Sequence, residues 1–158
     1  MKIMAPHPFL WFLVPAVLAG CSAQRPPDAA RSLSVVYEFR NPLMGSASTI
    51  MLHDRTLVVM LQEAKKGVRA DTLEIPETAI TSFLALLDSL DAGEIEVPPP
   101  ARLPDAPHEV LSIAWGGKRI VWRLTGVPGL PHAISAVKSC LFDLAAARSP
   151  VAREALGR

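Results

Sequence analysis

The chain has 158 residues, half of them apolar, with 16 Lys+Arg against 15 Asp+Glu and only two cysteines. That length suits one domain with its own core. A net charge of +1 excludes the strongly basic surface that nucleic-acid binding requires, and two cysteines exclude a disulfide-dense scaffold.

The N-terminus has the layout of an export signal: Lys2, then the apolar segment "FLWFLVPAVLA" at residues 9–19, then small residues before Cys21. Roughly 11 apolar residues fall well short of the ~20 that a membrane-spanning helix needs, and Pro15 interrupts a permanent helix. Residues 18–21, "LAGC", resemble the lipobox of bacterial lipoproteins. That resemblance implies a diacylglyceryl group on the Cys21 sulfur, cleavage between Gly20 and Cys21, and acylation of the new amino group. Small residues at 19 and 20 let the backbone enter the peptidase, and the thiol takes the lipid. Several acyl chains make a stable anchor, at about 0.8 kcal/mol per buried methylene. Ser22 in place of Asp points, by the enterobacterial sorting pattern, to the outer membrane facing the periplasm. Cleavage removes Lys2 and brings the formal charge to zero, so lipid rather than charge would hold the protein to its membrane. Cys140 would then be without an intramolecular disulfide partner, and as a small apolar residue it is expected to be buried.

Residues 21–32 form a polar, proline-containing tether after the lipid. Residues 33–147 are expected to be one α+β domain, with 148–158 a flexible tail. Val35, Tyr37 and Phe39 alternate in "SVVYEF", residues 34–39, and predict a strand. Loop 40–48 follows. "STIML" (48–52) and "TLVVMLQ" (56–62) flank the polar turn "HDR", which predicts a hairpin. After "EAKKG", residues 68–75 predict a fourth strand that completes a meander.

At residues 77–91 the period changes. Ile80, Phe83, Leu84, Leu87 and Leu90 make one helical stripe. Pro76 suits the helix start and Gly93 its end. Residues 98–107 contain five prolines and read as a stiff extended crossover. "EVLSIAW" and "KRIVWRL" then flank Gly116-Gly117, the pair a two-residue type I′ turn wants. That register pairs Trp115 with Lys118, Ile113 with Ile120 and Leu111 with Trp122, and puts Leu111, Ile113, Ile120, Trp122 and Leu124 on the core face. A last helix over 132–147 buries Ile134, Val137, Leu141 and Leu144. The expected architecture is an antiparallel sheet of five to six strands with two helices on one face.

Motifs for catalysis are sparse. The chain has no phosphate loop, no Gly-x-Ser-x-Gly and no His-Glu-x-x-His, so no cofactor and no catalytic residue are assigned. Ser46 and Ser48 beside Gly45 read as loop residues, His53-Asp54 as turn chemistry, His132 as a helix start and Asp143 as solvent-facing. Asp105, His108 and Glu109 in "DAPHEV" bring together groups able to bind zinc or move protons. Glu38, Glu63, Asp71 and Glu74 are expected mostly on the open sheet face, where Val36, Val121, Arg119 and Arg123 add a mixed surface suited to a protein contact.

In element order the chain resembles small bacterial α+β modules of the emfourin type, which inhibit metalloproteases. "VVYEFRNPLMGSASTIML" and "VLSIAWGGKRIVWRL" carry the likeness, with Gly45 the one glycine in the first loop. It implies a binding surface on loop 40–48. Three functional expectations follow: a non-enzymatic lipid-anchored envelope module with a protein partner, an inhibitor-like domain using loop 40–48, or a hydrolase or metal site around His108.

Overall fold

The structure is a computed structural model and describes residues 32–90, 105–127 and 129–157. The lipobox, the tether to residue 31, Gly93 and most of the proline-rich crossover lie outside the described residues.

Six strands form one antiparallel sheet: β1 (Leu33–Asn41), β2 (Ser46–His53), β3 (Thr56–Glu63), β4 (Gly67–Glu74), β5 (His108–Trp115) and β6 (Lys118–Arg123). Three helices accompany it: α1 (Glu77–Ser89), α2 (His132–Ala146) and α3 (Pro150–Ala155). The sheet order is β4-β3-β2-β1-β5-β6. The meander runs outward from β1, and the β5–β6 hairpin pairs with the other edge of β1. This is the antiparallel α+β architecture that the strand and helix periods predict.

Period-two alternation sends one face of every strand inward. Register stacks the buried residues into continuous rows. Leu57, Leu52, Val35 and Ile113 lie side by side across four strands, and so do Val59, Ile50, Tyr37 and Leu111. All are buried. Ile80, Phe83 and Leu87 of α1 and Ile134, Val137, Leu141 and Ala145 of α2 pack onto them in a single core. The predicted stripes hold, except that Leu84, Leu90 and Leu144 sit at its margin while Ala145 is fully buried. A 15-residue helix drifts around its axis, which brings position 145 under the stripe.

The β5–β6 register is the predicted one. Gly116 and Gly117 have φ of 53° and 79°, the left-handed region a type I′ turn demands. Trp115 on this hairpin donates its indole N–H to Asp88 Oδ1 at 3.2 Å, which ties β5 to α1.

Two expectations are corrected. Loop 40–48 is only the turn at residues 42–45: Arg40 pairs with Ala47 and Asn41 with Ser46, both in the ladder, and Ser48 is buried on the core face. The hydrogen bonds of an antiparallel ladder close this hairpin almost to its tip. Residues 148–157 are no loose tail. They form α3 over Pro150–Ala155 with Ala152 fully buried. Ser149 caps α3 by accepting from the Ala152 N–H at 2.9 Å, and Pro150 occupies the first turn, where its missing N–H costs nothing.

Candidate functional site: two faces and two ends of the sheet

On the covered face Glu109, Asp71 and Arg69 stand among apolar rows, and each meets a helix. Glu109 of β5 receives a hydrogen bond from Lys138 of α2. The Lys138 ammonium lies 5.5 Å from the Tyr37 ring centroid and 5.3 Å from that of Phe142. These two rings pack edge to face at 4.7 Å. The cation is thus held by one carboxylate and two π faces, an arrangement that strengthens as water is excluded. Burial pushes the Tyr37 hydroxyl well above the ordinary tyrosine range, and the Glu109 carboxylate beside it adds to the effect. Tyr37 therefore stays protonated and serves as a donor.

Asp71 of β4 accepts from the Ser149 hydroxyl and from the Val151 N–H at 3.3 Å. Arg69, two residues earlier on the same face, forks between Glu63 at 2.8 Å and Glu154 of α3 at 2.7 Å. The Arg69 hydrogen bond holds the Glu154 carboxyl down to about 2, with Lys66 contributing less. Glu63 and Asp71 were expected mostly on the open face. Ladder parity puts both on the helix side, where Asp71 meets Ser149 and Val151 at the start of α3 and Glu63 meets Arg69 across the β3–β4 turn. These contacts are structural clamps between sheet and helices.

The opposite face carries no helix among the described residues. Ladder parity places Val36, Met51, Val58, Met60 and Val110 at its centre, half-buried by their neighbours. Glu38 and Glu74 share this face, as expected, with Arg40, Arg119 and Arg123. Val121 is 50% exposed on the edge strand β6.

The two ends of the sheet differ. At the end where β1 begins, Asp54 (φ 51°) accepts the Leu33 N–H at 3.2 Å and donates its own N–H to the Leu33 carbonyl at 2.7 Å. His53-Asp54 is thus a turn device, as its residue types predict. A 640 Å³ cleft opens there between the β2–β3 turn and α1. Its arginine, Arg55, is already engaged by the Ile75 carbonyl at 3.2 Å and by Glu74 at 2.7 Å. At the far end, the turn at residues 42–45 projects Leu43 and Met44, which are 75% and 71% exposed. Gly45 there has φ of 59°, and a Cβ on it would stand 2.9 Å from the Ala64 Cβ, so this turn leans on the 64–66 turn. Val68, 65% exposed, lies on β4 just beyond the second turn, beside the exposed Lys65 and Lys66.

The structure does not bring Asp105, His108 and Glu109 together. His108 and Glu109 are consecutive strand residues and point to opposite faces; Glu109 is committed to Lys138, and Asp105 sits in a turn with φ of 61°. Among the described residues no group of three His, Cys, Asp or Glu side chains could hold a metal ion. His132 begins α2 and is exposed, and Asp143 is exposed beside Ser139, whose hydroxyl donates to it at 3.4 Å. Cys140 is half-buried rather than fully buried. It lines a shallow 530 Å³ groove between α1 and α2. Burial, and then the nearby Asp143, raise its thiol pKa, which makes it a poor nucleophile.

Sequence periodicity alone missed the α3 clamp. Its signal was "SPVARE": a capping Ser, a first-turn Pro and a Glu able to reach a basic strand residue. No family model matches this chain, and a search of curated proteins finds none significantly similar to it.

Proposed function

We propose that the protein is a lipid-anchored module of the bacterial envelope that acts by binding another protein and not by catalysis. The anchor reading rests on "LAGC" at residues 18–21 with Cys21 as the acceptor. The binding reading rests on one observation above all: the exposed apolar tip Leu43-Met44 stands at the end of the sheet opposite the start of β1. A chain tethered through residues 21–32 enters the domain at Leu33, so the tip faces away from the anchor. Exposed large apolar side chains on a tight, paired hairpin are pre-organised for contact and lose little entropy on binding. The same tip favours an inhibitor-like use, in which the turn inserts into a partner's cleft. The partner is an envelope protein, held near by the shared membrane, and no cofactor enters the reading.

Co-purification from the protein's own membranes tests this. The wild-type chain should retain a partner that a Leu43→Asp, Met44→Asp variant loses at least tenfold while remaining folded and lipidated. Equal retention by both would move the contact elsewhere. Cys21→Ala should lower recovery of the same partner from membranes without abolishing its binding in solution.

A further inference from the structure

We infer that the uncovered sheet face is the interface between two copies of this chain, packed face to face as a two-sheet sandwich. The inference does not depend on the lipid anchor or on the Leu43-Met44 tip. It starts from the layout of the face. Ladder register orders its residues into rows running from β4 to β6. One row ends in Glu74 on β4 and in Arg119 on β6. The next row places Val58, Met51 and Val36 at its centre, with Ser112 and Val121 beyond them.

A two-fold axis parallel to the strands, passing between β1 and β2, lays β6 of one copy over β4 of the other and β5 over β3. Each row then falls on the same row of the second copy. Arg119 faces Glu74. Met51 faces Val36 on either side of the axis. Val58 faces Ser112, and Met60 faces Val110. Val58 of β3 thereby meets Ser112 of β5, beside the shallow 280 Å³ depression that Ser34, Ser112 and Ala114 help to line. The central Val and Met contacts and the Arg119–Glu74 contact repeat on either side of the axis, as an isologous interface requires. Among the described residues no carboxylate pairs with Arg119 or Arg123, so Arg119 is available to a second copy. Glu38 faces the Thr49 hydroxyl, a donor.

The area is sufficient. Six strands at about 4.8 Å and four rows at about 6.6 Å per two residues make a face of roughly 750 Å². A standard interface takes about 800 Å² from each partner. Two aligned sheets packed face to face ~10 Å apart are a common arrangement, and the half-buried Val and Met side chains would form its core.

The test is the mass of the full-length chain, purified in detergent with the detergent mass subtracted, together with disulfide trapping. Wild type should be a dimer. Met51→Glu should halve the particle mass and leave the far-ultraviolet dichroism unchanged, because the substitution lies outside the helix-covered core. In a Cys140→Ser background under mild oxidant, the double variant Val58→Cys, Ser112→Cys should give a covalent dimer. Those two positions are three strands, roughly 14 Å, apart within one chain, too far for an internal disulfide. Either single variant should give only the background that Cys21 supports. A monomeric wild type overturns the inference. So does a dimer that survives Met51→Glu, or trapping no greater in the double variant than in the singles.

Discussion

Gly45 and Ser149 each carry more of the structure than their size implies. Gly45 combines a positive φ with a Cβ vector aimed at Ala64, so Gly45→Ala incurs both backbone strain and a steric clash. It should cost about 1–2 kcal/mol and lower the midpoint of thermal unfolding. An unchanged midpoint would show that the 42–45 and 64–66 turns are not packed together. Ser149 is a cap whose hydroxyl accepts from Ala152 and donates to Asp71. Ser149→Ala should cost about 1 kcal/mol and speed amide exchange in α3 before any other element. At this scale the sequence was legible where one residue type has one geometric use. Gly116-Gly117 meant a type I′ turn, and His53-Asp54 meant a turn. It was not legible for Asp71 or Glu63. Alternation assigns a charged strand residue to the open face; the reversal comes for Asp71 from Ser149 and Val151, some eighty residues along the chain, and for Glu63 from Arg69 across the β3–β4 turn.

Among the elements, α3 shows what periodicity leaves out. A six-residue helix is too short to display an apolar stripe and too short to be stable alone. It exists because Ala152 is buried and because Arg69 and Asp71 hold its first turn and Glu154. The Arg69–Glu154 pair makes this clamp pH-dependent. The Glu154 carboxyl is held below its ordinary 4.5, down to about 2, when folded. Its contribution is therefore complete above pH 4.5 and is lost as pH falls from 4.5 through about 2. Hydrogen exchange in α3 should accelerate over that window more than exchange in α1. Glu154→Gln should give the faster rate already at neutral pH. An α3 rate that follows α1 across the window would mean the pair is screened to insignificance. The β5–β6 hairpin is the opposite case. Its turn, register and buried face could be read from two glycines and alternating residues, because every contact that fixes it is local.

For the whole molecule, six strands and two core helices followed from the order of periods along the chain. Strand order did not, because the choice of β1 as partner for β5 is a long-range pairing that no local pattern encodes. The proposed contact surface was legible only in part. Loop 40–48 contains the exposed turn but overstates it, since the ladder takes Arg40, Asn41 and residues 46–48 into the sheet. Asp105, His108 and Glu109 are neighbours in the sequence, but Pro107 keeps the chain there extended, and the two-residue period of β5 sends His108 and Glu109 to opposite faces. The remaining whole-molecule claim is that a domain with one covered face and one apolar tip is held at its N-terminal end by lipid. Intact-mass spectrometry of the full-length gene product, recovered from its native membrane, tests this most directly. A mature chain that begins at Cys21 and carries the added mass of its acyl groups, with residues 1–20 gone, is the predicted result. A chain that keeps Met1, or that begins at another residue with an unmodified Cys21, would contradict it.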